Sequence, residues 1–542
     1  MGIPSYFSYI VKNHPNIIRK FVANNITVNH LYLDCNSIIY DVVAKFDYTI
    51  KKDRVDSIIK CIINKIEEYI ASINPLDTAF IAFDGVAPVA KLDQQRCRRY
   101  KSAHQNEVHR SLFKKAEQDA FNTASITPGT EFMGSLAKNV YTHFERVNKT
   151  GVKMIIASCS DSPGEGEHKL FQYIRDFPEK HIDKTTVIYG LDADLIMLSI
   201  NHLPLCPNIF LFRETPEFIK SIDSSLSPNE LYVMDINALS QNIGDNMIQE
   251  GVVIDDLKRS KLCYDYIFIC FFLGNDFMPH FPALNIRTGG VNKVLDAYKA
   301  TLGGSATEVI TDGSKIYWNN VRLFVECLKN KEEMFIQNEI KLRDRRSRFN
   351  NVTSENPEDL FAKFENIPTI DREIEKKINP FRPFWQNRYY KTLLCMDPPD
   401  EMRKKQVSMN YLEGLEWTFK YYTAGCADWR WTYKHHYPPL LEDLCKYIPI
   451  FDTELVPAKP PNPVDPLLQL CYVTPLSSLT LLPPKLHHAL TREKTHWYGN
   501  SCQFVWAFCR YFWESHVELP EINLDELETF VSDKMKTKPT PL

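Results

Sequence analysis

The sequence predicts an α/β fold: a mostly parallel central sheet flanked by helices, with a second, mainly helical and aromatic-rich region packed on it. Three observations lead there. Apolar runs of strand length alternate with stretches of helical spacing through the first 300 residues. Five of the runs read as strands tipped with acids at their carboxyl ends. From about residue 380 the texture changes to one dense in Trp, Tyr and Phe.

The opening, MGIPSYFSYIVKNHP, reads as a short amphipathic helix after a proline-fixed start. HLYLD is a strand ending in Asp34, and Asn36 follows at the start of an apolar helix. Residues 54–73 carry Ile, Cys and Tyr at helical spacing, and TAFIAFDG forms a second strand ending in Asp84. That is a βαβ unit with an acid at each tip. Ligands of open parallel sheets bind outside the carboxyl ends of the strands, so both acids are expected to face one crevice.

The next stretch, APVAKLDQQRCRRYKSAHQ, is basic. On a helix Lys91, Gln95 and Arg98 fall on one face with Arg99 beside them. Most charge runs are solvated helix faces, but few acids interrupt this one and it follows directly on an acidic strand tip. Arg offers a planar fork and Lys a point charge, so this face suits a terminal phosphate. Residues 107–123 read as helix, and ITPGTEF is a turn reopening into another.

KMIIAS is a further buried strand, followed by SDSPGEGEHKLFQYI, in which Glu165 and Glu167 stand at the Gly-bearing start of a helix. Helix capping explains one glutamate there, not easily two. The stretch VIYGLDADLIML, Val187 to Leu198, reads as a buried strand delivering Asp192 and Asp194 two residues apart. Carboxylates about 4 Å apart repel by roughly 4 kcal/mol at an effective dielectric of about 20. A pair of that kind stays ionised when a cation sits between them. IFLFRE reads as another strand, and a polar, irregular stretch runs to about residue 260. YDYIFICFFLGNDFMPHFP then reads as a buried strand ending in Asp276. The acids Asp34, Asp84, Glu165, Glu167, Asp192, Asp194 and Asp276 form a set of oxygen ligands for hard divalent ions, Mg2+ or Mn2+. Two such ions about 4 Å apart would activate a water and stabilise the leaving oxygen of a phosphodiester.

Composition bounds the rest. The chain of 542 residues is 44% hydrophobic and 12% aromatic, enough for large cores in coupled domains. A net charge of −4 excludes a generally cationic nucleic-acid binder but not a local basic pocket. The 14 cysteines never form CxxC, so buried free thiols are expected rather than a structural zinc site. The longest apolar run is too short to span a bilayer, no signal-peptide order stands at the start, and Tyr6 misses a myristoylation signal begun by Gly2.

The expected organisation is a nuclease-type α/β domain over 1–300, a charged helical linker over 301–380, a second region over 381–515 and a tail over 516–542. Within the linker, Arg343 to Arg348 read as a solvated helix end ahead of a nuclear-localisation patch. In the second region most rings are expected in a core. Trp429 and Trp431, flanking Arg430, are candidates for stacking on a base.

Taken in order, MGIP, LYLDCNSIIY, FDGVAPVAKLDQQRCRRY, ITPGTEFM, PGEGEHK, YGLDADLIML, GNDFMPH and EGLEWTFKYY through HHYPP resemble the Xrn family of 5′→3′ exoribonucleases. The resemblance covers roughly residues 1–300 and 380–510. It implies a PIN or flap-nuclease-like core and an Mg2+-dependent (or Mn2+-dependent) enzyme using two ions. Such an enzyme processively removes mononucleotides from single-stranded RNA bearing a 5′-monophosphate, in mRNA and RNA decay. On matching positions the seven acids would hold the metals, Lys91, Gln95, Arg98 and Arg99 would grip the 5′-phosphate, and Pro88 would lie near the terminal nucleotide. A pocket closed around so small a group would refuse a cap or triphosphate.

The position of Tyr40 is usually His in the family, stacking on the first base opposite a tryptophan, here Trp429 or Trp431; Tyr can still stack. The chain resembles a compact member lacking the long C-terminal extension, and the absence of a cysteine-bearing zinc knuckle favours the cytoplasm over the nucleus. A monomer with no membrane partner is expected, and decapping or decay partners are left open. Two alternatives stand beside this one. A flap-type DNA nuclease is disfavoured by the prolines of GNDFMPHFPALNIRTGG, where that class carries a Gly-rich helix-hairpin. An inactive RNA-binding scaffold is disfavoured because all seven acids are present.

Overall fold

The computed structural model describes residues 6–21, 26–49, 53–113, 121–145, 151–214, 230–349, 356–499 and 502–536. The opening MGIP with Gly2, residues 114–120 of the expected 107–123 helix and the last six residues of the tail lie outside these. A seven-stranded sheet carries the first half of the chain: β1 (Ile18–Lys20), β2 (His30–Asp34), β3 (Thr78–Ala82), β4 (Met154–Ser158), β5 (Thr185–Tyr189), β6 (Asn208–Glu214) and β7 (Leu231–Asp235). Their order is β1-β7-β6-β5-β2-β3-β4. The run β6-β5-β2-β3-β4 is parallel throughout, and β7 and β1 add an antiparallel margin. The mostly parallel sheet expected from the alternation of strands and helices is therefore present.

Period-two alternation assigns each strand residue to a face. Leu31 and Leu33 of β2, Ala79 and Ile81 of β3 and Val187 of β5 enter one apolar layer, whereas Tyr32, Phe80 and Ile188 enter the other. The first layer is closed by α2 (Asn36–Lys45), α3 (Arg54–Ile73) and α5 (Glu131–Glu145). Isoleucine is a middling helix former, so burial rather than propensity makes α3. Ile58, Ile59, Ile62, Ile66, Ile70 and Ile73 are buried along it, each worth about 1.5–3 kcal/mol. Asn74 ends it in the left-handed conformation, its N–H returning to the Ile70 carbonyl.

The second layer receives α1 (Tyr6–Asn13), α6 (Gly166–Asp176), α7 (Asp194–His202), α8 (Ile236–Met247) and α9 (Asp256–Cys270). It continues without a break into the later chain, where Trp318, Phe324, Tyr389, Trp417 and Tyr437 belong to the same apolar cluster. The stretch expected as a charged linker thus contains a helix, Trp318–Lys329, whose apolar side is core. The basic helix of the sequence is α4 (Val89–Phe113).

Four expectations require correction. YDYIFICFFL is not a strand: it completes α9 and a short turn, Phe271–Leu273. Tyr266 to Leu273 are buried, and a helix enclosed on all sides is apolar without period, which spacing alone does not separate from a buried strand. VIYGLDADLIML is strand only to Tyr189, and Asp194 opens α7. The stretch before residue 260 holds β7 and α8, the latter capped by the Asp235 carboxylate accepting from the Ala238 N–H. Arg343 is not solvated: it is buried and donates to Glu375 at 2.7 and 3.0 Å and to the carbonyls of Pro368 and Cys509, while Arg345 and Arg348 are exposed.

Candidate metal centre and phosphate pocket

The register brings the acids together. Asp34 pairs with Ala82, Ala82 with Ser158 and Leu33 with Tyr189, so the chain leaves β2, β3, β4 and β5 at one level of one edge. Asp34 ends β2 and Asp84 lies just beyond β3. Asp192 follows β5, Asp194 opens α7, and Glu165 and Glu167 flank the first residue of α6. Oxygens of Asp34, Asp84 and Glu167 lie within 4.8 Å of one another, and Glu165, Glu167 and His168 form an overlapping group. Asp192 alone of the seven is exposed. Asp276 enters from the loop after α9, where its carboxylate accepts from Lys91 Nζ at 2.8 Å.

Helix capping does not account for these acids: Glu165, at the N-cap of α6, makes no side-chain cap bond, and Asp194 stands inside α7, whose N-cap is Ala193. One carboxyl oxygen of Asp34 and one of Asp194 are buried without a hydrogen-bond partner. Burial and neighbouring carboxylates push the acids upward: Asp194 to about 7, with Asp276 the main charge, and Asp84 to about 6, with Glu165 the main charge. Asp34 and Glu167 are raised well above the usual range by the same causes. Burial disfavours charge on Asp276 too, but the charge and hydrogen bond of Lys91, together with further cations including Arg98, outweigh it and hold that carboxyl well below the ordinary value. A Cβ added at Gly166 would stand 2.7 Å from Asp34 Oδ1, so only glycine lets the acids close up there. Oxygen donors of excess negative charge, with orphaned lone pairs and a shared interior, fit one or more hard divalent ions.

The supports are local. Asn36 donates to Asp84 Oδ2 and accepts from the Asp84 N–H at 3.1 Å, while the Gly166 N–H donates to Asp84 Oδ1 at 2.7 Å. Lys169 Nζ ties the carbonyls of Phe83 and Cys159 at 2.8 and 2.7 Å, joining the ends of β3 and β4. The sequence places Asn36 at a helix start and Gly166 between two acids without giving either, or Lys169, a role; the amide of Asn36, two positions after an acid at a strand tip, was the available signal.

Helix α4 rises from the acids. Lys91, expected at a phosphate, is buried between Glu165 and Asp276. Gln95 is half-buried and accepts from Gln469 at 3.4 Å. Arg98 is exposed, and Arg99 donates to Thr127 Oγ1 at 2.5 Å and to the Ala124 carbonyl. Tyr40 is 47% exposed on α2, within electrostatic reach of Arg98, Arg99, Asp84 and Asp192. The two tryptophans differ. Trp431 lies parallel to Trp417, centroids 5.1 Å apart, with its Nε1 buried and unpartnered. Trp429 is half-buried, and its carbonyl accepts from the Val89 N–H at 3.0 Å, beside Pro88.

The second region holds the back of α4. Asp93 accepts from Thr432 at 2.6 Å and from the Tyr472 hydroxyl, Arg96 donates to the Trp497 carbonyl, and Lys101 donates to those of Trp513 and Ser515. Cys35, Cys263, Cys270 and Cys471 are buried free thiols. Among the described residues no helix is long and apolar enough to cross a membrane.

The fold is thus a mostly parallel α/β sheet with an acidic centre at its carboxyl edge and a helical second region built against it. Residues 1–215 match the family model described as the XRN 5′-3′ exonuclease N-terminus, and residues 256–380 and 369–538 match the Xrn1 helical domain. The chain belongs to the Xrn family. It is 26% identical to 5′-3′ exoribonuclease 2 of Arabidopsis thaliana, covering 96% of this chain and 66% of that protein. It is 26% identical to the 5′-3′ exoribonuclease 2 homolog of Drosophila melanogaster (89% and 65%) and to 5′-3′ exoribonuclease 1 of Saccharomyces cerevisiae (91% and 40%). The chain therefore spans less than two thirds of the length of these relatives. Among solved structures, the catalytic core of Rad2 in complex with DNA substrate gives a TM-score of 0.31 at 11% identity, over 67% of this chain and 84% of that one, a likeness too distant to bear on function.

Proposed function

We propose that the protein is a 5′→3′ exoribonuclease that hydrolyses single-stranded RNA bearing a 5′-monophosphate, one nucleotide at a time, in RNA decay. The observation that carries this reading is the continuity of the acidic centre with the basic face of α4. Lys91 touches Glu165 and Asp276, and Gln95, Arg98 and Arg99 follow along the same helix. A scissile phosphate at the acids then has its neighbour, the terminal 5′-phosphate, within the reach of that face.

Asp34, Asp84, Glu165, Glu167, Asp192, Asp194 and Asp276 would hold two Mg2+ or Mn2+ ions. Such ions, when bound, lower the pKa of a water and stabilise the charge developing on the leaving oxygen. The chain's own part is positioning. Asn36 and the Gly166 N–H fix both oxygens of Asp84. Arg99, steadied by Thr127 and Ala124, and exposed Arg98 supply donors for a phosphate dianion. Tyr40 and one of Trp429 and Trp431 would stack on the terminal base. Family membership and the names of the relatives support the exoribonuclease part of this reading, and a monomer acting in the cytoplasm completes the proposal.

The test uses one 3′-labelled RNA with 5′-monophosphate, 5′-hydroxyl or capped ends, incubated with Mg2+ and either wild type or Asp192→Ala. Loss of the monophosphate form alone, by wild type alone, is expected. Internal cutting of all three would refute the exonucleolytic reading, and tight binding without cutting would make the protein a scaffold.

A further inference from the structure

The helix Glu401–Thr423 of the second region runs up to the acidic centre and sets two consecutive tyrosines against it. Tyr422 is buried beside Asp194. Tyr421 donates its hydroxyl proton to Glu165 Oε1 at 2.9 Å, with both groups buried. The other oxygen of that carboxylate, Oε2, faces the Lys91 ammonium. Glu165 therefore stands between a cation on one side and a neutral donor on the other.

The Tyr421 ring has little freedom. His168, the neighbour of Glu167, stacks on one face at 3.7 Å between centroids and 22° between planes. Trp417 stacks on it at 5.0 Å and 27°, and Phe277, next to Asp276, meets it edge-on at 5.5 Å. A ring packed among residues adjoining two of the acids gives its hydroxyl one position. Removing that hydroxyl frees Glu165 to turn both oxygens onto Lys91, and an incoming divalent ion must then compete with an ammonium for the whole carboxylate.

We infer that Tyr421 is a positioning residue for Glu165, holding one carboxylate oxygen off the lysine in the orientation a divalent ion takes up. The inference rests on the metal assignment made under the proposed function. Outer-shell partners of metal-ligating carboxylates are typically worth 10–100-fold in metal affinity. Tyr421→Phe keeps the ring among His168, Trp417 and Phe277 and removes only the O–H.

The experiment is a Mn2+ titration of the full chain, without RNA, followed by electron paramagnetic resonance. The matched control is Tyr389→Phe, which removes a buried O–H bonded to the Pro438 carbonyl at 3.0 Å, away from the acids. Expected is a loss of Mn2+ affinity of at least about tenfold in Tyr421→Phe and wild-type affinity in Tyr389→Phe. Wild-type affinity in Tyr421→Phe, or an equal loss in both variants, would overturn the inference while leaving the metal assignment standing. Failure of the wild type to bind Mn2+ would overturn both.

Discussion

Divalent-ion binding should tighten steeply between pH 5 and pH 8, and the structure sets by how much. An ion at the acidic centre displaces the protons that Asp194 and Asp84 carry once burial and repulsion have pushed them up to about 7 and about 6. At pH 5 these groups lie about two and one units above ambient pH. At about 1.4 kcal/mol per unit, deprotonating both costs on the order of 4 kcal/mol, a cost that vanishes by pH 8. Affinity should therefore rise by at least roughly a thousandfold across that range, since Asp34 and Glu167, raised by the same causes, add to it.

Stability reports the same quantity if the two signs are kept apart. Carboxyls raised in the folded state lend stability that is present below the ordinary carboxylate pKa and lost as pH rises through the raised values. The buried histidines act oppositely. Burial lowers His181 and His280 to about 4, so their contribution is lost as pH falls through that region. The histidine contribution is common to metal-free and metal-loaded protein, so the difference between the two isolates the acids. Urea unfolding in chelator and in excess Mg2+ should show a gap that widens by at least about 4 kcal/mol from pH 5 to pH 8. A gap of constant width would refute the assignment of these acids as metal ligands.

Asp192→Ala should abolish turnover while RNA binding in a filter assay persists, because the carboxylate is exposed and its loss opens no buried cavity. Arg99→Ala removes a charged donor worth about 1.5–3 kcal/mol, so preference for a 5′-monophosphate over a 5′-hydroxyl should fall about tenfold or more in competition kinetics. Gly414→Ala sets a Cβ 2.1 Å from Met278 Sδ and 3.0 Å from Trp431 Cη2, and overpacking of that kind should lower the unfolding free energy by about 1–3 kcal/mol and shift Trp fluorescence. Arg343→Met takes from buried Glu375 one of its two guanidinium partners, Arg372 remaining as the other, and should cost about 1.5–3 kcal/mol in the same unfolding assay.

What the sequence discloses follows from what leaves a local mark. Asp34 and Asp84 end short β-branched and aromatic runs bounded by turns, and the parallel sheet they imply is the one observed. Asp276 was legible as an acid of the same kind but its element was not, because α9 is buried all round from Tyr266 onward and a helix segment enclosed in that way has no polar face to set a period. Helix α8 hid for the opposite reason: INALSQNIGDNM is polar on the outside, and its start is signalled only by the Asp235 cap. Tyr421 belongs to an aromatic stripe whose usual meaning is core, and core it is. Only its hydroxyl, meeting Glu165 across 256 residues of sequence, departs from that meaning, and no local pattern encodes a contact of that range.

The same long-range contacts bear on whether the first 300 residues could work alone. Helix α4 presents Gln95, Arg98 and Arg99 from a backbone whose other side is held by Asp93, Arg96 and Lys101, which bond to Thr432, Tyr472, Trp497, Trp513 and Ser515, all beyond residue 430. Hydrogen bonds to charged groups contribute about 1.5–3 kcal/mol each, and leaving a buried charge unpaired costs at least as much. Buried Gln469 adds a neutral tie, accepting from the Ala87 N–H and donating to Gln95. Tyr421 extends the dependence to the acids themselves. A chain ending near residue 300 would keep the strands that aim Asp34, Asp84 and Asp192 but would strand Asp93, Arg96 and Lys101 without partners and release Glu165 to Lys91. The proposed phosphate pocket and metal centre thus depend on the two regions packed together, with α4 as the element through which each constrains the other.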